Sequence, residues 1–355
     1  MKQKKRVEEE ISKHYARKLL HFLSKNKSRL SPLLILTHDY PDPDSISSAF
    51  ALRYLCDHFK IESKIVYGGI IGRMENKSMV NILKIPVKKL KSTDFRKYKN
   101  FALMDTQPGF RNNSFPTGMR ASIVIDQHPY VTKPDADLII VDPDCGATCV
   151  ILAQALLLLR TGIPANLATA LIYGILSDTL NLYRANRSDV SQTYMNVLPY
   201  CDLKALAFIQ NPSRSRKFFM SLSKGIQNAM VRRGLIITHL GPVESPDLVA
   251  QVADFLLSYK RRHWSLCTGH FKGKLHVSLR AVNPHVEAGE VLRGIFMNRG
   301  EAGGRGSIAG GSFSVGQNAT HHVWKYAEDS IAEKLLKRLR LPVKGDFYYP
   351  FRTQS

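Results

Sequence analysis

Cysteine is scarce in this chain: 355 residues hold five (Cys56, Cys145, Cys149, Cys201 and Cys267), an odd number with no Cys-x-x-Cys pair. That excludes a disulfide scaffold and a zinc ribbon. Long apolar runs are missing as well. The longest, from Val150 to Leu159, is broken by Gln154 and falls short of the roughly 20 residues that span a bilayer. The opening MKQKKRVEEEISKHYARKLL begins with the charges of a secretory signal but meets Glu8-Glu9-Glu10 where an apolar stretch would be needed. We therefore expect a soluble, cytoplasmic protein with no membrane insertion. Acidic residues are the scarcer sign, 29 against 51 Lys and Arg, a net charge of +22. Such a field concentrates anions and is damped by salt, but it does not by itself separate nucleic acid, nucleotide and anionic membrane.

What is present describes an ordinary folded protein, 44% apolar and 23% charged, long enough for two domains. Val7, Ile11, Tyr15, Leu19 and Phe22 recur at helical spacing over residues 7–29 and predict an amphipathic helix packed on a domain. After Pro32, LLILT reads as a strand, followed by a polar loop and a helix from Ser45 through Phe59. SKIVYGG (63–69), FALMD (101–105), SIVID (122–126) and DLIIVD (137–142) are further continuous apolar runs. Buried parallel strands read this way. From Ala147 to about Tyr200 the pattern is helical. A basic segment (212–233) predicts a connecting helix, with the domain boundary and hinge between about 203 and 233. Beyond it lie strand candidates at 235–240, 264–271 and 274–282 and helices near 246–259, 286–299 and 320–339. A glycine-rich stretch, GGRGSIAGGSFSVG (303–316), separates the last two helices. The expected fold class is α/β, a parallel-sheet N-terminal domain followed by a smaller α/β domain.

The first-half strands end in hard ligands. LLILT runs into His38-Asp39-Tyr40-Pro41-Asp42-Pro43-Asp44, FALMD ends in Asp105, SIVID ends in Asp126-Gln127-His128, and ALIYGILSD carries Asp178 among apolar neighbours. In an open α/β sheet the crevice beyond the carboxyl ends of the strands is where ligands bind. Several carboxylates converging there repel one another and call for cations. With imidazole among them the set suits Mn²⁺, Zn²⁺ or Fe²⁺ better than an all-oxygen shell would. Singly, Asp42 and Asp44 could cap the helix from Ser45 and Asp105 could open a turn. Cys145 and Cys149, at the start of an apolar helix, read as core residues. His263, His321 and His322 read as surface or cap residues, and Trp264 and Trp324 as packing residues.

The ordered motifs His38-x-x-x-Asp42-x-Asp44, Asp105, Asp126-Gln127-His128 and GILSDTLNLYRANRSD resemble those of the DHH phosphoesterases. VSLRA (277–281) followed by GGRGSIAGG (303–311) is similar to the associated C-terminal substrate domain, whose usual motif is Gly-Gly-His-x-x-Ala-Ala-Gly. The resemblance covers about residues 30–335. It implies an N-terminal helix (1–30), a catalytic domain (31–205), a linker helix (206–233) and a substrate-binding domain (234–345) across a cleft. The most similar subgroup contains nanoRNases, phosphatases of 3′-phosphoadenosine 5′-phosphate and cyclic dinucleotide phosphodiesterases.

Carried over by position, the resemblance implies one metal on His38, Asp42 and Asp105 and a second on Asp44, Asp105 and Asp178. It implies catalytic roles for Asp105, Asp126 and His128, with His128 near the scissile phosphate, and phosphate or base contacts from Arg280, Gly303, Gly304, Arg305 and Gly310. Two Mn²⁺ ions are expected, with Mg²⁺, Co²⁺ or Zn²⁺ as substitutes. The departure is Gln127, where the family has the histidine that completes the second site. An amide oxygen binds such ions less well than imidazole, so that site is expected to be weak, to fill only with substrate, or to recruit His128. The implied function is hydrolysis of short oligonucleotides or small nucleotides. The alternatives are cyclic dinucleotide cleavage and a non-catalytic nucleotide sensor. A homodimer stays open.

Overall fold

The computed structural model of the chain describes residues 2–110, 112–130, 132–283, 286–296, 300–343 and 345–352; the side chains of residues 2–12 and of Arg305 lie outside that description. Two compact units emerge, Met1–Pro212 and Ser213–Ser355.

The first unit runs α1 (Lys2–Leu30), β1 (Leu33–Thr37), α2 (Pro43–His58), β2 (Ser63–Tyr67), α3 (Met74–Ile82), β3 (Val87–Lys89), α4 (Asp94–Lys97), β4 (Asn100–Met104), β5 (Ala121–Asp126), β6 (Ala136–Val141), α5 (Thr148–Leu159), α6 (Ala165–Asp178), α7 (Ser188–Val197) and α8 (Leu203–Gln210). Its six strands pair in parallel in the order β3-β2-β1-β4-β5-β6. Successive side chains on a strand point to opposite faces, and both faces are covered. Leu33, Ile35, Ile65, Ala102, Met104, Ile123 and Ile125 share a core with α2, α5 and α6, while Leu34, Leu36, Val66, Leu103 and Val124 pack on Phe101 and Phe115. That is why these strands read as continuous apolar runs. Helix α1 docks through Ala16, Leu19 and Leu23, all fully buried, beside α5; Val7 and Ile11 fall outside the described side chains. The strand order reverses between β1 and β4, so the crevice of the sheet opens where β1 and β4 end.

The second unit runs α9 (Arg216–Gln227), β7 (Met230–Arg232), β8 (Leu235–Pro242), α10 (Pro246–Leu257), β9 (Trp264–Phe271), β10 (Lys274–Ala281), α11 (Ala288–Phe296), β11 (Glu301–Arg305), β12 (Ile308–Ser314) and α12 (His321–Arg338). Its mixed sheet has the order β11-β12-β10-β9-β8-β7, with β8 and β9 the parallel pair. Residues 212–233, expected as one connecting helix, are α9 and the edge strand β7. Phe218 and Leu222 of α9 pack on Leu248 of α10, which ties the segment into this unit. The glycine-rich stretch is not a loop: β11 and β12 form an antiparallel hairpin from it. A Cβ added at Gly289 would lie 2.7 Å from the Gly304 carbonyl oxygen, so α11 sits directly on the hairpin backbone.

Between β9 and α12, the hydroxyl of Thr268 donates to Glu328 Oε1 at 3.1 Å and therefore accepts from His239 Nδ1 at 2.7 Å, while His270 Nε2 donates to Glu328 at 2.8 Å. Burial alone would raise the Glu328 carboxyl, but the His270 bond and the neighbouring His239 bring it below the usual range. A carboxyl held down in the folded state contributes stability above its ordinary pKa of about 4.3 and loses it as pH falls through the lower folded value. Glu328→Gln should therefore lower the melting temperature at pH 7, with the gap to the parent chain closing only below about pH 4, as pH falls through the lowered folded value. A gap that has not closed by about pH 2 would show that the carboxylate charge is not what these partners hold.

Candidate metal centre

Strand β1 delivers His38 to the crevice, and the five residues that follow turn the chain into α2. Asp42 caps that helix: its Oδ1 accepts the Ser45 amide at 2.9 Å, and the Ser45 hydroxyl closes a capping box, with Pro43 in the first turn. The other oxygen of Asp42 points elsewhere. Oδ2 lies 3.4 Å from His38 Nε2, so capping and facing the imidazole are two uses of one carboxylate.

Asp105 follows the last residue of β4 with φ of 57°, a left-handed conformation that aspartate and asparagine tolerate better than most residues. The turn puts its fully buried carboxylate opposite His38, with Oδ2 3.6 Å from Nε2. His38 is fixed by its Nδ1 on the Asp39 carbonyl at 2.8 Å, and its buried Nε2 makes no hydrogen bond. Burial pushes the imidazole down, but Asp42 and Asp105 outweigh it and lift the pKa to about 9. The pocket between these three side chains therefore favours positive charge. One nitrogen and two carboxylates converging on one point is a set that fits a divalent cation.

Asp44, one turn into α2, is fully buried against the start of α5. Its two oxygens accept the backbone N–H of Thr148 and of Cys149, both at 2.7 Å, the placement a helix N-terminus offers an anion. Burial and the charges of Asp105, Asp178 and Asp42 nonetheless raise its carboxyl well above the usual range. Asp178 reaches the same place from the last turn of α6. That approach depends on Gly174: a Cβ there would stand 2.8 Å from Ser47 Oγ and 3.0 Å from Cys149 Sγ. Ser47 bonds the Ala170 carbonyl at 2.6 Å and fastens the crossing of α2 and α6.

Between the second set of carboxylates lies an amide. Gln127 Nε2 is 2.5 Å from Asp178 Oδ2, 3.1 Å from Asp44 Oδ2 and 3.5 Å from Asp105 Oδ1. The Gln127 backbone is held by Thr148, whose hydroxyl accepts its N–H at 3.1 Å and donates to Asp105 Oδ1 at 2.9 Å. Next to it, Asp126 Oδ1 accepts both the backbone N–H of His128 at 3.1 Å and its Nδ1 at 2.7 Å, and Asp126 Oδ2 accepts Gln107 Nε2 at 2.8 Å. A carboxylate only accepts, so Nδ1 is the nitrogen that carries the proton in this bond. Asp105, Asp126 and His128 form a second group close enough to hold an ion.

The structure thus brings together His38, Asp42, Asp44, Asp105, Asp126, Gln127, His128 and Asp178 at one end of the sheet. Thr148, Gln107 and Gly174 belong with them, and sequence patterns do not mark them. In the second unit, the Arg280 side chain is buried, with Nε on Asp254 at 2.5 Å and Nη1 on the carbonyls of Leu279 and Ala309. Gly303 and Gly310 pair across the hairpin, and a Cβ at Gly303 would meet nothing. The Gly304 backbone instead lies against Gly289 of α11, and the Arg305 side chain is outside the described residues. Cys145 and Cys149 are buried free thiols, His321 and His322 are exposed in the first turn of α12, and His263 is exposed. Trp324 stacks on His270 with ring centroids 4.0 Å apart, and Trp264 packs on the second unit's core. No described helix is long and apolar enough to cross a membrane.

No protein-family model matches the chain. An uncharacterised protein of Methanocaldococcus jannaschii is 32% identical over 317 residues, and the match takes in 88% of this chain and 65% of that protein's length. Among solved structures, an exopolyphosphatase-related protein from Bacteroides fragilis superposes with a TM-score of 0.68 at 15% identity, over 90% of this chain and 97% of that one. The manganese-bound exonuclease RecJ gives a TM-score of 0.49 at 15% identity, over 93% and 95%. The chain therefore shares the α/β fold of the exopolyphosphatase-related protein along nine tenths of its length, with its carboxylates and imidazoles gathered where that sheet opens.

Proposed function

We propose that the protein is a metal-dependent phosphoesterase that hydrolyses short oligonucleotides or small nucleotides. The observation that carries this is His38 Nε2, buried without a hydrogen bond and facing carboxylate oxygens of Asp42 and Asp105 at 3.4 and 3.6 Å. A divalent cation there, with Mn²⁺ the best match to the donor set, would acidify a water and offset charge developing on phosphorus. The chain's own residues supply the rest. Asp126 holds His128 in one tautomer, and Gln107 holds Asp126, so His128 can pass a proton to a leaving oxygen without reorienting. The motifs of the DHH phosphoesterases, on a fold shared with an exopolyphosphatase-related protein, support the reaction class.

For the substrate, exposed tyrosines border the motifs: Tyr40 follows His38 by two residues, Tyr130 follows His128 by two, and Tyr183 follows Asp178 by five, at 67%, 47% and 85% exposure. Aromatic faces of this kind stack on bases, which a polyphosphate lacks. In the second unit the Gly303 and Gly310 backbone is the proposed phosphate-binding surface, and Arg280, expected to grip phosphate, is instead buried on Asp254 and the Leu279 and Ala309 carbonyls. A nucleotide-binding sensor is the second reading, favoured by the Gln127 amide among the carboxylates.

The test is turnover with Mn²⁺ on di- to pentanucleotides, 3′-phosphoadenosine 5′-phosphate, a cyclic dinucleotide, pyrophosphate, polyphosphate and a long single strand. Short substrates should win at moderate salt, where nonspecific attraction of the long strand to the +22 charge fades. Binding without turnover on any substrate would favour the sensor, and a preference for polyphosphate would remove the nucleotide. His128→Gln should lower kcat by about 10²–10⁴-fold, the usual worth of a general acid, at unchanged metal content. Unaltered kcat in that variant would take His128 out of the reaction.

A further inference from the structure

The resemblance calls for two cations, and the residues here do not fit the second. We infer that the side-chain amide of Gln127 occupies the second cation's position, so that the centre takes one divalent ion per chain, on His38, Asp42 and Asp105. This rests on reading the centre as a metal site and changes its stoichiometry.

An ion shared by Asp44, Asp105 and Asp178 would sit about 2.0–2.2 Å from one oxygen of each. The point near all three is already taken, because Gln127 Nε2 lies 3.1, 3.5 and 2.5 Å from those oxygens respectively. The amide presents its nitrogen there, and Nε2 donates to Asp178 and Asp44. Two N–H groups shared among carboxylates make charge-assisted hydrogen bonds, stronger than neutral ones. They satisfy lone pairs that a cation would otherwise neutralise. Turning the amide to offer oxygen to an ion would break those bonds and give a poorer ligand than imidazole.

The surroundings hold the amide in place. Thr148 accepts the Gln127 backbone N–H and donates to Asp105, and the first two N–H groups of α5 bind Asp44 at 2.7 Å. Asp44, a second-metal ligand by resemblance, thus has both oxygens engaged by backbone and one also by the amide. The His38 side differs in kind. There a buried imidazole nitrogen makes no hydrogen bond and faces two carboxylates, and no amide stands between them.

The experiment is metal stoichiometry, read by elemental analysis after desalting from Mn²⁺ and by calorimetric titration, on the parent chain, Gln127→His and Gln127→Ala. The parent should bind one Mn²⁺ and give the spectrum of an isolated ion in electron paramagnetic resonance. Gln127→His should bind two and show the spin-coupled signal of a neighbouring pair. Gln127→Ala removes the amide without adding a ligand; its metal-free melting temperature should fall by several degrees, and Mn²⁺ should restore it with uptake beyond one equivalent. Two ions bound by the parent would overturn the inference while leaving the centre a metal site. One ion in both folded variants would also overturn it, because the amide would then not be what keeps the second ion out. No uptake by any of the three would instead remove the metal reading on which the inference rests.

Discussion

Asp105→Asn is expected to lower turnover on the order of 10³-fold, the scale of losing a charge-stabilising group from a catalytic centre, while the fold survives. Asparagine accepts the left-handed backbone that Asp105 adopts at φ 57°, and its amide oxygen can keep the bond from Thr148. What disappears is the charge. Asp105 faces His38 and heads the carboxylates that push Asp44 upward. The variant should therefore be as stable as the parent or more so without metal. With metal the order reverses: an ion at 100 times its dissociation constant adds about 2.7 kcal/mol to a protein that binds it, and the variant should lose that gain. Comparing melting curves with and without Mn²⁺ separates a lost ligand from a lost fold. Parental activity together with a full Mn²⁺-induced shift would place Asp105 outside the coordination of any ion.

Much of this arrangement was legible because the physics that writes the pattern is local. Strands buried on both faces must be apolar throughout, so β1, β4 and β5 stand out as runs, and the apolar residues of the half-buried β2 and β6 read the same way. The edge strand β3 does not, being three residues long with two lysines. An acid that closes an apolar strand is conspicuous, which exposed Asp105 and Asp126, and the helix-cap reading of Asp42 was correct without competing with its place beside His38. The supporting residues were hidden because their partners are distant in sequence. Thr148 matters because α5 begins where β1 and β4 end, and Gly174 because α6 crosses α2. The glycine-rich segment did not declare its structure for a definite reason. Its glycines let α11 rest on a hairpin and leave the Gly303–Gly310 pair without side chains, and composition alone reads the same for a strand pair as for a loop. Gln127 was visible as a departure, but which of its two amide atoms meets the carboxylates depends on side chains supplied by three separate segments.

Arg187→Met is expected to destabilise the first unit by about 3–5 kcal/mol, the cost of stranding buried charges by removing their partner. The guanidinium forks both ways: Nη1 donates to the two oxygens of Asp142 at 2.9 and 2.8 Å, while Nε and Nη2 donate to Asp189 at 2.9 and 2.6 Å. All three side chains are nearly buried, at 11%, 7% and 3% exposure. Burial works against the charged guanidinium, yet the two carboxylates hold it protonated more firmly than usual. The bonds join the end of the loop after Asp178 to the residue following β6 and to the first turn of α7. Within that loop Leu180, Asn181 and Leu182 all have positive φ, a conformation that disfavours leucine by roughly 1–2 kcal/mol per residue. The loop is thus held against its preference, and Arg187 is a main reason it stays. A unit of this size loses about 2–4 °C per kcal/mol, so the melting temperature should fall by about 10 °C. Arg187→Lys keeps the charge but not the fork and should fall between. Combining Arg187→Met with Asp142→Asn and Asp189→Asn removes the stranded charges and should recover most of the loss. A drop of less than about 2 °C in Arg187→Met would mean that water reaches both carboxylates and that the loop after Asp178 is held by its own packing.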